Sequence, residues 1–180
     1  MPTFLVIFLV SIFIMMIIGF LLLVFYKRMG KNNGKTNYKG ICSFDIDKTL
    51  TCGKISDLKA AVQECKDQDY ALTIVTARPL PILYPVNTKK LGFPDNFQLK
   101  YGALSFSEKA HAQRKVKQLK ELLQYFNSRQ KNKISQQNVY LFDDKKINVD
   151  LANEAGFKGV HVENCNVNRE MVRRAISENS

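Results

Sequence analysis

The sequence predicts an α/β domain, a parallel sheet with helices on both faces, preceded by one transmembrane helix. Three observations predict it. Four short apolar runs, "GICSFDI" at 40–46, "YALTIVTA" at 70–77, "VYLFDD" at 139–144 and "GVHVE" at 159–163, are continuous rather than alternating, as expected of strands covered on both sides. Segments with helical spacing fall between them, and that alternation feeds parallel strands through helical crossovers. Near the start, "FLVIFLVSIFIMMIIGFLLLVFY" runs from Phe4 to Tyr26, 23 residues without a charge.

The apolar run comes first. At about 1.5 Å per residue it is long enough to cross a hydrocarbon core of about 30 Å. A buried core helix would keep a polar face, and a secretory signal would show a basic start, a shorter apolar core and a small-residue cleavage site; neither pattern is present. Residues 1–27 are therefore expected to be an uncleaved membrane anchor. Lys27, Arg28, Lys31, Lys35 and Lys39 follow the run and no basic residue precedes it. By the positive-inside rule this places the rest of the chain in the cytoplasm. Residues 28–39, rich in glycine, asparagine and lysine, read as a flexible basic linker, attractive to anionic lipid headgroups.

The chain carries 27 basic and 16 acidic residues, a formal net charge of +11. Five of the basic residues belong to the anchor's flank, so 22 face 16 in the remainder, a moderate excess. Nucleic acid stays open as a partner, although no aromatic-interleaved basic motif supports it.

Within residues 40–180 the elements follow in order. After the strand at 40–46, Leu58, Ala61, Val62 and Cys65 repeat at helical spacing behind Ser56, an expected N-cap. The strand at 70–77 is followed by a weaker one, "FQLKYGALSF", at 97–106. Val116, Leu119, Leu122, Leu123 and Phe126 mark the longest helix, at 108–128. Ile147, Leu151 and Ala155 mark another behind the 139–144 strand, stopped by Gly156. Met171, Val172, Ala175 and Ile176 form the last, beyond the 159–163 strand. The cysteines, Cys42, Cys52, Cys65 and Cys165, show no CxxC pair and no neighbouring histidine ladder, which argues against zinc. They are expected to be unpaired thiols of a reducing compartment. His111, on the long helix, and His161, in a short strand, are the only histidines and read as structural; no Ser/His/Asp hydrolase is supported.

In such sheets ligands bind beyond the carboxyl ends of the strands. Three predicted strands end there in reactive groups: Asp45 and Asp47, then Thr76 and Arg78, then Asp143 and Asp144. Carboxylates this close repel one another unless a cation, a shared proton or a phosphoryl group offsets the cost. Three or four hard oxygen ligands suit Mg²⁺, a threonine hydroxyl suits a phosphate oxygen, and Lys115 on the long helix could neutralise the remaining charge.

These residues match a family pattern. "FDIDKTLT" resembles the first motif of the haloacid dehalogenase-like (HAD) phosphatases, Asp-x-Asp-x-Thr, at Asp45, Asp47 and Thr49. "LTIVTAR" resembles the second, with Thr76 closing the strand, and "LFDDKKINVDLANEAG" the fourth, with Asp143 and Asp144. The third is a single lysine, supplied best by Lys115 in "KVKQLKELL", with Lys109 and Lys117 as rivals. The resemblance spans about residues 40 to 165 and implies a Rossmann-like fold and a Mg²⁺-dependent phosphatase. It implies Asp45 as nucleophile, Asp47 as general acid and base, Thr76 and Lys115 as phosphate ligands. The metal would be held by the Asp45 and Asp143 carboxylates and the Asp47 carbonyl, with Asp144 as a possible fourth ligand. An aspartate at the position of Asp47 favours phosphate transfer to water over dehalogenation.

Only 26 residues separate Thr49 from Thr76 and 36 separate Arg78 from Lys115, so little or no cap is expected. An open site suits a phosphorylated macromolecule, although small metabolites also fit. Two rivals remain: a catalytically silent membrane-anchored binding module, and a nuclease-like metal hydrolase, which would not need Thr76 and Lys115.

Overall fold

The computed structural model describes residues 37–79, 86–102 and 107–178. The predicted anchor at 1–27 and almost all of the linker lie outside them. Five strands, β1 (Gly40–Phe44), β2 (Tyr70–Val75), β3 (Gln98–Lys100), β4 (Val139–Asp143) and β5 (Lys158–His161), form one sheet in the order β3-β2-β1-β4-β5. Every neighbouring pair is parallel. The helices are α1 (Ile55–Asp67), α2 (Thr88–Leu91), α3 (Glu108–Asn127), α4 (Lys146–Glu154) and α5 (Arg169–Ser177).

The continuous apolar runs are explained by what covers them. Alternate side chains point to opposite faces of a strand, so Cys42 and Phe44 of β1 meet Leu58, Ala61, Val62 and Cys65 of α1 and Val172 and Ile176 of α5. Ile41 of β1 and Val139 and Leu141 of β4 meet Leu119 and Leu122 of α3 and Ala152 of α4. Phe44 and Phe142 stack across β1 and β4, centroids 4.8 Å apart. Both faces are therefore dry, and no residue of β1, β2 or β4 is left to water.

Several expectations change. Ser56 does not cap α1: the helix begins at Ile55 behind Lys54, and the Ser56 hydroxyl instead donates to Asp57 Oδ1 at 3.3 Å. Of the weak strand expected at 97–106, Gln98–Lys100 is strand among the described residues, at the sheet edge where β2 pairs with it; 103–106 lie outside them. Gly156 does end α4, with φ of +84°, a left-handed conformation that favours glycine.

The four cysteines are not all thiols. Cys52, in the loop after β1, and Cys165, in the turn after β5, form a disulfide, their Cα atoms 5.4 Å apart and 113 residues apart in sequence. Cys42 and Cys65 are free and buried between β1 and α1. The spacing rules that exclude zinc are blind to this pair. The two loops meet because parallel strands deliver all their carboxyl ends to one edge. Disulfides persist in oxidising compartments, so the cysteines no longer argue for a reducing one.

Candidate functional site

The strand order reverses between β1 and β4: the chain runs outward through β2 and β3, then returns past β1 to β4. That is the switch point at which a crevice opens in such sheets. Asp45 immediately follows β1 there, its amide donating to Phe142 O at 2.9 Å, and Asp143 is the last residue of β4. Both are buried.

Lys115 enters from α3. It is only 2% exposed, and its Nζ lies 2.8 Å from Asp45 Oδ1 and 2.5 Å from Asp143 Oδ2. Lys109 and Lys117, on the same helix, are exposed, so the structure brings Lys115 alone of the three into the cluster. Asp143 is held at its other oxygen by Asn148 Nδ2 at 2.7 Å and by the Lys145 amide at 3.0 Å. With Asp143 fixed this way, Asp144 completes a trio with Asp45 whose oxygens lie within 4.8 Å of one another.

Burial, reinforced by the nearby Asp143 carboxylate, pushes the Asp45 carboxyl up to about 6 against the pull of Lys115. Burial and Asp143 also raise Asp144. Burial pulls the Lys115 ammonium down, but Asp45 and Asp143 outweigh it and hold it above its ordinary value. Three carboxylates thus share one ammonium and want a further positive charge. Hard oxygen donors in this number and spacing fit a divalent cation of the Mg²⁺ type. Thr49 Oγ1 and Asn148 Oδ1 are among the buried oxygens that lack a hydrogen-bond partner among the described residues, and Asn148 adjoins the trio through its bond to Asp143.

Asp47 lies apart from that trio. Its half-exposed carboxylate pairs with Arg78, which donates from Nε to Oδ2 at 2.9 Å and from a terminal nitrogen to Oδ1. Thr76 is fully buried at the end of β2, its Oγ1 accepting from the Arg78 amide at 3.2 Å, which leaves the hydroxyl proton available to an anion. The turn that carries Arg78 is closed by Gly102, whose amide donates to Arg78 O at 2.9 Å. A Cβ at Gly102 would lie 2.0 Å from Ala77 O, so only glycine fits.

Two of these contacts were not assigned from sequence. Arg78 reads equally well as a strand cap or a substrate ligand, and the structure shows it on Asp47. Asn148 reads as a loop or helix cap, and it holds Asp143. The polar residue five positions after a site carboxylate was the available signal. His111 lies on α3 as expected; His161, at the end of β5, bonds Asp144 O through Nε2 at 3.0 Å. Lys145 pairs with Glu108 at 2.8 Å and Lys146 with Asp150 at 2.7 Å, and all four side chains are about half exposed or more.

No protein-family model matches the chain, and no curated protein matches it. Solved structures do. An uncharacterized protein from Corynebacterium glutamicum is 17% identical, the match covering 79% of this chain and 92% of that one at a TM-score of 0.45. The cobalt-bound deoxy-D-mannose-octulosonate 8-phosphate phosphatase from Haemophilus influenzae is 14% identical, covering 80% and 92% at 0.44. A hypothetical protein from Xanthomonas campestris is 13% identical, covering 82% and 91% at 0.45. Likeness at this level carries no argument about chemistry, which rests on the side chains.

Proposed function

We propose that residues 40–180 form a HAD-type phosphatase that uses Mg²⁺ and an aspartyl-phosphate intermediate. The observation that carries this is Lys115, buried between Asp45 and Asp143 at the switch point, beside a third carboxylate. A structural ion pair would have no use for that surplus of negative charge, and a nuclease-like site would not need Lys115 or the buried Thr76.

In this reading an Asp45 oxygen attacks phosphorus as the bond to the leaving oxygen breaks, and Asp47 supplies that oxygen's proton. Asp47 then takes a proton from water as the water oxygen attacks phosphorus, and Asp45 leaves as a carboxylate with release of inorganic phosphate. Thr76 and Lys115 donate to the phosphoryl oxygens, and Arg78 holds the Asp47 carboxylate between its two proton transfers. Mg²⁺, held by Asp45, Asp143, Asp144 and the Asp47 carbonyl, would offset charge on the phosphoryl oxygens.

The full chain should hydrolyse 4-nitrophenyl phosphate with Mg²⁺ and lose that activity in excess chelator. Full activity in chelator refutes the metal-dependent mechanism.

The tether is part of the proposal. The span at 4–26 anchors the domain in a membrane, and its basic flank favours a cytoplasmic domain, whereas the Cys52–Cys165 disulfide favours an oxidising compartment. Protease added to sealed vesicles with their cytoplasmic face outward decides between them: digestion of the domain supports the flank, protection the disulfide.

A further inference from the structure

The carboxylate cluster is assembled from two separate stretches of chain. Asp45 and Asp47 belong to the loop after β1; Asp143 ends β4 and Asp144 follows it. The turn after β5 backs the second stretch: the Val162 amide donates to Asp143 O at 2.9 Å, and His161 Nε2 bonds Asp144 O at 3.0 Å. The Cys52–Cys165 disulfide joins that turn to the loop after β1, so it ties the two carboxylate-bearing stretches together covalently. Three features suit this bridge to opening. Both its cysteines are half-buried, whereas Cys42 and Cys65 are closed off, and Cys165 lines an open cavity of about 410 Å³ beside Asp144. Asn164 and Cys165 are both left-handed, at φ of 51° and 59°; asparagine accepts that conformation, but at cysteine it is strain that opening can release. Finally, the basic flank of the apolar span favours a cytoplasmic domain, and disulfides in that compartment are as a rule transient, catalytic or redox-sensing.

We infer that the Cys52–Cys165 disulfide is a reversible redox switch that sets how tightly the carboxylate cluster holds its cation; the inference rests on the metal-dependent reading of that cluster. The β1–β4 ladder itself fixes Asp45 and Asp143, since the Asp45 amide donates to Phe142 O. Asp144 and the Asp47 carbonyl lie beyond the ladder, and these are what the bridge steadies. Opening needs a dithiol reductant. One of its thiolates attacks Cys165 Sγ, the S–S bond breaks, and Cys52 leaves as a thiolate that takes a proton. The reductant's second thiolate then attacks the reductant sulfur of the mixed disulfide and expels Cys165. The protein has gained two electrons and two protons, and the reductant departs as a disulfide. The loop after β1 and the turn after β5 then move independently, and the outer ligands lose their preset geometry. A disulfide oxidant such as oxidised glutathione runs the exchange backwards and restores the site.

The test compares the oxidised full chain in detergent micelles with the same chain after dithiothreitol without denaturant, the reductant then being removed anaerobically. N-ethylmaleimide followed by intact-mass measurement should add two groups to the reduced chain and none to the oxidised one, because Cys42 and Cys65 are buried. Oxidised glutathione should reverse the change. The rise in melting temperature caused by Mg²⁺ should be smaller in the reduced chain. The Mg²⁺ concentration that half-activates 4-nitrophenyl phosphate hydrolysis should be about fivefold higher or more. The double substitution Cys52→Ser with Cys165→Ser should match the reduced chain and ignore dithiothreitol. A bridge that dithiothreitol does not open in the folded chain, or a Mg²⁺-induced rise equal in both states (none in either included), overturns the switch and leaves the disulfide a structural one. If even the oxidised chain does not hydrolyse 4-nitrophenyl phosphate, the phosphatase reading fails by itself, and the two Mg²⁺-induced rises still decide the switch.

Discussion

Two buried charged side chains, Lys115 at the carboxyl edge of the sheet and Glu64 between α1 and α5, are compensated in different ways. At the switch point one ammonium, Lys115, serves Asp45 and Asp143 with Asp144 beside them. Between α1 and α5 one carboxylate, Glu64, serves two guanidinium groups, Arg169 at 2.6 Å and Arg173 at 3.3 Å. Glu64 is as buried as Lys115, each 2% exposed, but its partners reach half into solvent and also pair with Asp67 at 3.6 Å and Glu170 at 3.7 Å, so no charge is left uncompensated. At the other cluster Asp45 and Asp143 are closed off with a single ammonium. Burial works to raise Glu64, but hydrogen bonds from Arg169 and Arg173 outweigh it and hold its carboxyl below the ordinary value, whereas burial wins at Asp45 and pushes it up to about 6. A balanced cluster staples helices; an unbalanced one is unfinished until a cation or a phosphoryl group arrives.

That contrast can be broken by substitution. The largest effect is expected at Asp45→Asn, which removes the proposed nucleophile and proposed metal ligand together; turnover of 4-nitrophenyl phosphate should fall by about 10³-fold or more, and a near-normal rate refutes its role. Asp47→Asn should cost about 10²-fold, the scale of lost general acid–base help. Phosphorylated Asp45 should accumulate in that variant, detectable by intact-mass measurement.

Lys115→Met sharpens the comparison from the stability side. It strands two buried carboxylates, so the domain should lose about 3 kcal/mol or more. Mg²⁺ should raise the melting temperature of this variant more than that of the wild type, because the ion takes over the missing charge. An equal rise in both would mean that the cation does not bind among these carboxylates.

Glu64→Gln should have the smallest effect, about 1–2 kcal/mol, since both arginines can turn to water. Its effect on phosphatase activity should be nil. The pH dependence follows from the sign of the shift. A carboxyl held below its ordinary value contributes stability that is present above about 4.5 and is lost as the pH falls below it. Thermal denaturation at pH 7 and pH 3.5 should therefore separate wild type from Glu64→Gln at the higher pH and bring them together at the lower.

Much of the fold could be read from the chain because parallel strands buried on both faces write themselves as unbroken apolar runs, and β1, β2 and β4 do so. β3 could not be bounded, because an edge strand with one partner lacks that signal. Asp45, Asp143 and Lys115 were legible as strand-end and helix residues that needed one another. The Asp47–Arg78 pair was not, since a separation of 31 positions says nothing about which side chains converge across two loops. The disulfide was hidden for the same reason. Only the shared carboxyl edge of the sheet brings Cys52 to Cys165.

The disulfide also shapes the molecule when it is not folded. It closes a ring of more than a hundred residues that contains α1, β2, α2, β3, α3, β4, α4 and β5. In the chain-entropy account, closing a ring of this length removes about 4.7 kcal/mol of disorder from the denatured ensemble at 25 °C. The oxidised chain therefore begins each refolding with the loops after β1 and β5 already neighbours, and β1 near the strands it must join. A reduced chain must find the β1–β4 pairing across almost a hundred residues of open polymer, the kind of distant contact that slows folding.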